Sequence, residues 1–385
     1  MFNFTYYNPT KIVFGRGTIA ELPQLLPEKA RVLMLYGGGS IKRNGVYDQV
    51  CAALMKRKFS EFSGIEPNPR YETCLKAVAQ IKDKGSDFLL AVGGGSVIDA
   101  TKFIAAAARY KGKDPWQLMF DWSLVPADTL PLGCVLTLPA TGSEMNQGAV
   151  ISREETQEKL VLHSPYLYPR FSILDPETTY SLPKRQTANG IVDAFVHVTE
   201  QYLTFPADAP LQDRQAEAIL LTLIEEGPKA LRRPRNYAVR ANLMWCATQA
   251  LNGLIGCGVP QDWATHLIGH ELTALYGIDH AQSLAVVLPG VLHHQLKRKK
   301  AKLLQYAERV WKLSRGIANV RAVKAIEKTE QFFRSLGVGT RLSDYKIPAE
   351  AAELAAARLA RRRARLGEHE DLTGKEIAEI LRSRV

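Results

Sequence analysis

The chain has 385 residues, of which 46% are hydrophobic and 23% charged, and its formal net charge is +11. This length exceeds one ordinary core, so two globular domains are expected. No apolar run is long enough to span a bilayer and no secretory signal is visible, which predicts a cytoplasmic protein without a membrane partner. The five cysteines form no CxxC pair, which favours free thiols in a reducing compartment.

The positive charge is confined to the last quarter of the sequence. Residues 293–385 contain 22 Lys and Arg against 11 Asp and Glu, whereas the rest of the chain is balanced. Two clusters stand out, KRKKAK at 297–302 and RLARRRAR at 358–365. Because both lie in helix-like stretches without interleaved aromatic residues, a solvated helix face is favoured over a nucleic-acid surface. A nucleic-acid-binding protein stays open as the alternative from another function class.

Strand-like and helix-like segments alternate up to about residue 183. In chain order they are RVLMLYGG, GVYDQVCAALMKRK, EFSGI, YETCLKAVAQIKDKG, FLLAVGGG and SVIDATKFIAAAARY. This alternation predicts a parallel sheet with helices on both faces. From about 184 onward long helical periodicity takes over, in segments such as RQAEAILLTLIEEGPKAL and RAVKAIEKTEQFFRSLG. We therefore expect an α/β domain over 1–183 and an all-α domain over 184–385.

Three turns rich in glycine or small hydroxyl residues follow predicted strands, at 36–40 (YGGGS), 93–99 (GGGSVID) and 137–146 (TLPATGSEMN). Glycine lets the backbone approach a diphosphate closely, and a following helix offers free N–H groups. Ser96 is expected to cap that helix, with Asp99 completing a pattern like a capping box. The turns indicate a nucleotide site, but none matches GxGxxG or the Walker motif, which disfavours an ordinary Rossmann or P-loop protein.

One aspartate and four histidines have the spacing of metal ligands. They are Asp193, His197, His266, His270 and His280. The first two lie four residues apart in an amphipathic segment, as do the next two, so each pair shares one helical face. The last histidine, His280, follows a predicted helix break at Gly277. One carboxylate with two or three imidazoles suits Zn or Fe(II) rather than Mg or Ca, although spacing alone does not separate ligands from non-ligands.

The order of these motifs resembles the iron-containing (group III) alcohol dehydrogenases, in particular the bacterial butanol dehydrogenases and NADPH-dependent aldehyde reductases. The resemblance extends from about residue 5 to beyond 345. It implies a dehydroquinate synthase-like architecture, in which a dinucleotide-binding α/β domain precedes a helical catalytic domain and the cofactor and metal occupy the cleft between them. It also implies a homodimer whose N-terminal strand, around FTYYNPTKIVFG, pairs with the partner subunit.

The resemblance assigns roles that spacing left open. It implies that Asp193, His197, His266 and His280 bind the metal, and that His270 is a non-ligand histidine that passes a proton beside the nicotinamide and the substrate. For the cofactor it implies contacts from glycine turns, small hydroxyl residues and a few polar side chains. These are Gly38, Ser40, Asn68, Gly94, Gly95, Ser96, Asp99, Thr137, Thr141, Ser143 and Lys159.

NADP(H) is expected as the cofactor because the first glycine turn lacks an acidic residue. In NAD-using relatives a carboxylate tends to follow this strand and binds the ribose 2′-hydroxyl. Here the strand ends at Tyr36 without a carboxylate, and Lys42 and Arg43 follow. Gly38 and Ser40 leave room for a 2′-phosphate.

The function implied by the resemblance is the NADPH-dependent, metal-dependent reduction of aldehydes to primary alcohols and the reverse oxidation. A glycerol-type or other polyol dehydrogenase of the same fold is the alternative. A dehydroquinate-synthase-like lyase is disfavoured because no convincing basic residues for a phosphorylated substrate lie within 184–292. Two departures from the family pattern are the compact PATGSE motif and Asp279-His280-Ala281 in place of Pro-His-Gly.

Overall fold

The structure is a computed structural model that describes residues 1–385. Its chain forms two compact units, which we call the sheet unit and the helical unit. The sheet unit comprises Tyr7–Leu182 and Pro234–Thr248, and the helical unit comprises Met1–Tyr6, Pro183–Arg233 and Gln249–Val385. The chain therefore passes between units next to the expected boundary at 183, and in addition a short later segment returns to the sheet unit.

Eight strands form two sheets. The strands are β1 Lys11–Phe14, β2 Val32–Tyr36, β3 Phe59–Phe62, β4 Phe88–Gly94, β5 Leu132–Leu138, β6 Gly148–Arg153, β7 Glu158–His163 and β8 Phe171–Leu174. Six of them make a parallel sheet in the order β1-β8-β5-β4-β2-β3, whereas β6 and β7 form an antiparallel hairpin. The predicted parallel sheet is confirmed, but the hairpin was not anticipated.

Fourteen α-helices accompany the strands. They are α1 Leu22–Leu25, α2 Ser40–Arg43, α3 Val46–Leu54, α4 Tyr71–Lys84, α5 Gly95–Ala107, α6 Lys184–Tyr202, α7 Pro210–Arg232, α8 Tyr237–Ala250, α9 Ala264–Tyr276, α10 His280–His294, α11 Lys300–Arg309, α12 Ala318–Ser335, α13 Ala351–Arg361 and α14 Gly374–Arg382. The helical second half is confirmed. None of these helices is both long and apolar enough to cross a membrane.

The central strands of the sheet unit are buried on both faces. All five residues of β2 and nearly all of β4 and β5 are buried, which explains why they appear in the sequence as continuous apolar runs. One core cluster, which includes Leu33 and Phe103, covers one face, and a second, which includes Met34 and Val50, covers the other. The chain order reverses between β2 and β4, where a ligand crevice is expected at the carboxyl ends of the strands.

The N-terminal strand pairs within its own chain. Residues Lys11–Phe14 form β1 at the edge of the sheet and lie parallel to Phe171–Leu174 of β8. One edge of β1 is therefore used within the chain. The expected pairing with a partner subunit can involve only the other edge of β1 and the residues before it.

Helix α6 is the most enclosed helix of the helical unit. Every residue from Thr187 to Tyr202 is buried, so polar side chains on this helix face protein rather than water. Helices α9 and α10 pack against each other and contribute to a core cluster that includes Ile268, Val287 and Leu359. A buried polar side chain on such a helix needs a hydrogen-bond or metal partner within the protein, and this applies to the charged residues of α6.

Candidate active site

Three helices of the helical unit bring the predicted metal ligands together. Asp193 and His197 lie one turn apart on α6, and His266 and His270 lie one turn apart on α9. Helix α9 ends at Tyr276, the following Gly277 has a positive φ of 67° that reverses the chain, and α10 begins at His280. The helix break expected from the sequence is therefore present.

A close approach of α9 to α10 brings their histidines near each other. A Cβ placed on Gly269 would lie 2.9 Å from the Ser283 hydroxyl oxygen, so a larger residue would push the two helices apart. The Ser283 hydroxyl also donates a hydrogen bond of 2.7 Å to the carbonyl oxygen of His280, which fixes the first turn of α10.

One carboxylate oxygen lies at the centre of the cluster. Asp193 Oδ1 is 3.7 Å from His197 Nε2, 3.8 Å from His266 Nε2 and 3.6 Å from His280 Nε2. The ligand atoms of Asp193, His266 and His280 all lie within 4.8 Å of one another, and His197 is not part of that compact set. In a tetrahedral site with bonds of about 2.1 Å the ligand atoms are about 3.4 Å apart. The distances from Asp193 Oδ1 to the three histidine nitrogens are therefore close to the distances between ligand atoms around a bound ion.

The donor chemistry of the cluster fits Zn or Fe(II). Asp193 and His197 are almost fully buried, and His266 Nε2 is a buried nitrogen with no hydrogen-bond partner. Burial lowers the pKa of His197 to about 4, although Asp193 opposes that change, so this imidazole is neutral and has a free electron pair near pH 7. One carboxylate oxygen and up to three imidazole nitrogens form an N/O set typical of these metals.

Glu200 is a site residue that the sequence analysis missed. It is buried on α6, seven residues after Asp193, and its carboxylate contacts His266 Nδ1. Burial by itself lowers the pKa of His266, but the charges of Glu200 and Asp193 outweigh that effect and raise it to about 9. The i, i+4, i+7 spacing of 193, 197 and 200 places all three on one helical face, which was the signal in the sequence.

The departure at Asp279 has a structural counterpart. Its carboxylate accepts a hydrogen bond of 2.8 Å from Asn189 Nδ2 and lies 3.5 Å from the Arg185 guanidinium, both on α6. Thus Asp279 ties the start of α10 to the helix that carries Asp193, and this holds His280 near the cluster without the Pro-His-Gly sequence.

His270 lies beside the cluster. Its ring centroid is 5.3 Å from that of His280 and 6.4 Å from that of His266. It is buried and is outside the compact set of candidate ligands. That position is compatible with a group that would transfer a proton next to the candidate metal site.

In the sheet unit, the predicted dinucleotide residues surround the carboxyl ends of adjacent strands. Gly94 ends β4 and Gly95 begins α5. A Cβ on Gly94 would lie 2.9 Å from Leu138 Cβ, and one on Gly95 would lie 2.3 Å from Thr141 Oγ1. Only glycine fits here, which brings the N-terminus of α5 against the loop after β5 and leaves backbone N–H groups for an anionic group.

The predicted capping role of Ser96 is wrong. Helix α5 already begins at Gly95, with Gly94 at the cap position, so Ser96 is its second residue and no side chain caps the helix. Asp99 does not complete a capping box either. Its carboxylate accepts hydrogen bonds of 2.6 Å from Ser143 Oγ and 2.9 Å from the Val150 amide, which ties the loop after β5 to α5.

Two further predicted residues contact each other directly. Lys159 Nζ on β7 donates a hydrogen bond of 2.9 Å to Asn68 Oδ1, although 91 residues separate them. Asn68 has a positive φ of 54°, a conformation that asparagine tolerates better than most residues. Thr137 lies on β5 and is buried. The structure thus gathers Asn68 and Lys159 at the hairpin, and Thr137, Thr141 and Ser143 at the end of β5.

Lys102 was also missed by the sequence analysis. It is fully buried on α5 and its ammonium donates to Asn146 O at 2.9 Å, Asn146 Oδ1 at 3.0 Å and Gly148 O at 2.7 Å. Burial lowers its pKa to about 8, against the opposing effect of Asp99. Together Asp99 and Lys102 fasten the segment that contains Ser143 to one helix.

Gly38 lies in the turn between β2 and α2, and Ser40 is the first residue of α2. A Cβ on Gly38 would meet no atom within 4 Å, so the turn is open on that side. Lys42 Nζ lies 5.3 Å and 4.7 Å from the ring centroids of Tyr36 and Tyr47. A hydrogen bond with Tyr36 raises the pKa of Lys42, which keeps this exposed lysine charged.

The neighbouring strand β3 adds a carboxylate beside the turn after β2. Glu61 of β3 accepts hydrogen bonds of 2.8 Å from the Tyr36 hydroxyl and 2.7 Å from the Tyr47 hydroxyl. Each of its two oxygens is thus already occupied by a tyrosine. No acidic residue directly follows β2 in the sequence, as noted above. The carboxylate of Glu61, from the neighbouring strand, nevertheless lies beside Tyr36.

The basic clusters are only partly solvated. Lys299 is 1% exposed and its ammonium contacts Asp262 Oδ2 at 2.7 Å and Glu368 Oε1 at 2.6 Å. Arg358 and Arg362 both contact the buried carboxylate of Glu271 on α9. The interpretation as a solvated helix face is therefore wrong for Lys299, which is buried, and for Arg358, which is largely buried, whereas Arg362 is exposed as expected.

Two family models match nearly the whole chain. Residues 9–176 match the iron-containing alcohol dehydrogenase model, and residues 187–385 match the C-terminal model of the Fe-containing alcohol dehydrogenase family.

Individual relatives match along nearly their full lengths. The chain is 56% identical to the NADPH-dependent aldehyde reductase YqhD of Escherichia coli, over 97% of each chain. It is 45% identical to the probable NADH-dependent butanol dehydrogenase 1 of Bacillus subtilis, over 100% of each chain. The crystal structure of E. coli YqhD superposes with a TM-score of 0.98 at 55% identity and covers 100% of this chain and 99% of that one. The chain belongs to the iron-containing alcohol dehydrogenase family.

Proposed function

We propose that this protein reduces aldehydes to primary alcohols with NADPH and one divalent metal ion, Zn or Fe(II), and catalyses the reverse oxidation. The observation that carries the proposal is the arrangement of three imidazole nitrogens within 3.6–3.8 Å of Asp193 Oδ1. The family membership and the glycine turns at the carboxyl ends of β2 and β4 support the nicotinamide cofactor.

Each candidate residue has a role that its position supports. Asp193, His266 and His280 would hold the metal, with His197 as the fourth ligand. When bound, the metal would supply Lewis-acid polarisation of the carbonyl oxygen and the dinucleotide would supply the hydride. His270 would donate a proton to the oxygen on which negative charge develops, directly or through water.

The proposal for the cofactor rests on the residues around the turn after β2. Among the relatives named above, YqhD is NADPH-dependent and the Bacillus enzyme is NADH-dependent, so family membership does not decide the question. Lys42 carries a positive charge beside an open turn at Gly38, which favours a 2′-phosphate. The bonds from two tyrosines to Glu61 leave its carboxylate less able to bind a ribose hydroxyl.

The substrate class follows the relatives rather than the geometry. An aldehyde reductase and a butanol dehydrogenase both act on a terminal carbonyl or alcohol, so we propose short-chain aldehydes and the corresponding primary alcohols. In the forward direction the aldehyde oxygen would face the metal site, and the alcohol would leave after the proton has been transferred.

The decisive test combines elemental analysis with turnover. The purified protein should contain about one Zn or Fe per chain and should oxidise NADPH with butanal and with methylglyoxal. A chelator should abolish turnover, and one of the two metals should restore it. Asp193→Ala should lose both the metal and nearly all activity, and substantial activity of the metal-free variant would contradict the proposal.

We also propose a cytoplasmic homodimer. All five cysteines are free, as expected in a reducing compartment. The segment before β1 exposes Phe2, Phe4 and Tyr7 by half or more, and β1 lies at the edge of its sheet. An exposed aromatic segment and a free strand edge are each suited to contact with a second copy. Light scattering of the purified protein, with deletion of residues 2–7 as the test variant, measures the oligomeric state.

A further inference from the structure

We propose that Glu200 is a positioning residue that fixes the proton of His266 on Nδ1 and thereby leaves Nε2 available to bind the metal. The inference rests on the proposed metal site and names a determinant of its affinity. It assigns a function to a buried acid that lies outside the group of candidate ligands.

The carboxylate of Glu200 is surrounded by hydrogen-bond donors. Its Oε1 accepts from the Thr265 amide at 2.7 Å and from the His266 amide at 3.4 Å, and its Oε2 contacts His266 Nδ1. The side chain is 2% exposed. The backbone carbonyl of Glu200 also accepts a 2.9 Å hydrogen bond from the Asp262 amide, which joins α6 to the segment before α9.

This arrangement determines which ring nitrogen carries the proton. Because the carboxylate accepts only, His266 Nδ1 must be the donor in that contact. A metal that displaces the proton from the other nitrogen then binds the electron pair of His266 Nε2, the atom that lies 3.8 Å from Asp193 Oδ1. A carboxylate behind a ligand histidine also makes the ligand more basic and restrains the ring, which strengthens metal binding.

Glutamine cannot replace this carboxylate. Glu200 offers acceptors to donors on two sides, the backbone amides of α9 and His266 Nδ1. Glutamine has one acceptor oxygen and one NH₂ group. If the NH₂ group faces the imidazole, Nδ1 becomes the acceptor and the proton moves to Nε2, which then cannot bind a metal. If it faces the backbone amides instead, two donors are buried against each other.

A purely structural role is the competing explanation. Trp263, at the cap position of α9, makes no side-chain hydrogen bond to the helix. Asp262 accepts from the first amide of the helix, at Ala264, and Glu200 accepts from the next two. Loss of such a cap lowers stability by about 1 kcal/mol whether or not a metal is bound. The two explanations therefore predict different effects of Glu200→Gln. If Glu200 positions His266, the substitution weakens metal binding. If Glu200 only stabilises the start of α9, the substitution lowers the stability of the metal-free protein and leaves metal affinity unchanged.

The experiment compares metal affinity in the wild type, Glu200→Gln and Glu217→Gln. Glu217 is the matched control because it is a buried acid of the same unit that accepts from the Tyr202 hydroxyl at 2.9 Å and contacts none of the candidate ligands. The chelator-treated proteins are titrated with zinc in competition with a chromophoric chelator. Circular dichroism and thermal unfolding of the metal-free forms report folding.

We expect Glu200→Gln to bind zinc about 10–100-fold more weakly than the wild type, as for other residues behind a ligand histidine. Glu217→Gln should bind zinc as the wild type does. Zinc affinity of Glu200→Gln within threefold of the wild type, or an equal loss in Glu217→Gln, overturns the inference. A wild type that binds no metal instead contradicts the proposed function.

A measurement on the wild type keeps the inference testable if Glu200→Gln does not fold. In zinc-loaded protein with ¹⁵N-labelled histidine, His266 should show a proton on Nδ1 and a metal-shifted Nε2. Metal coordination through Nδ1 of His266, with the proton on Nε2, overturns the inference.

Discussion

Replacement of Lys102 by methionine should loosen the loop that the cofactor is expected to contact. Methionine has a similar length and fits the buried space, but it removes an ammonium that donates to Asn146 O, Asn146 Oδ1 and Gly148 O. Each buried acceptor that loses its donor costs about 1 kcal/mol or more. Methionine also removes the cost of burying a charge, which offsets part of that loss. We expect a net loss of about 2–4 kcal/mol in the free energy of unfolding.

Thermal unfolding and cofactor kinetics together measure this effect. A loss of about 3 kcal/mol corresponds to a Tm lower by about 6–12 °C for a unit of this size. Because Asn146 lies in the same segment as Ser143, we also expect a higher KM for NADPH, with a smaller change in kcat. The control is Lys82→Met, which removes an exposed lysine of α4 and should change neither quantity.

The pH dependence gives a second measurement of the same side chain. The pKa of Lys102 in the folded chain is about 8, below the ordinary lysine value of 10.5. Between these pH values the unfolded chain binds a proton that the folded chain does not, so raising the pH favours the folded state. The stability advantage of the wild type over Lys102→Met should therefore widen from pH 8 to 10. A Tm unchanged by the substitution, or an advantage that shrinks over this range, would refute the reasoning.

Three further substitutions test other parts of the site. Gly95→Ala places a Cβ 2.3 Å from Thr141 Oγ1, so NADPH binding measured by calorimetry should weaken and Tm should fall. Adding Thr141→Ala should restore both in part. Unchanged NADPH binding and unchanged Tm in Gly95→Ala would contradict the close contact. Lys42→Ala should raise the KM for NADPH about tenfold and leave that for NADH nearly unchanged, whereas equal losses would exclude a 2′-phosphate contact. His270→Gln should lower kcat at least about 100-fold with normal metal content, and loss of the metal would make His270 a ligand.

The sequence predicted features that depend on local periodicity. Asp193 and His266 could be placed because helical spacing puts residues four apart on one face, and His280 because Gly277 ends a helix. The alternation of short apolar runs and helices likewise determined the parallel sheet. In these cases the information lies within one or two turns of the chain, where propensity and pattern act directly.

Features that depend on pairing between distant segments could not be predicted. Glu61 approaches Tyr36 only because β3 pairs with β2, and the order of strands in a sheet is not a local property. The buried state of Lys299 depends on Glu368, 69 residues later. Family resemblance added the separation of His270 from the ligands, which spacing does not provide.

The ion pairs of the last quarter of the chain change what its charge means. Lys302 pairs with Asp213, Arg309 with Glu217 and Lys299 with Asp262, so bases that are clustered in the sequence are matched by acids from earlier segments. The excess of positive charge in the last quarter of the sequence therefore does not produce an equal excess of positive charge on one part of the surface. It follows that such residues should change in pairs among homologues, since reversing one member alone would leave two like charges in contact. A double charge reversal, Glu217→Arg with Arg309→Glu, should accordingly be tolerated better than either single reversal.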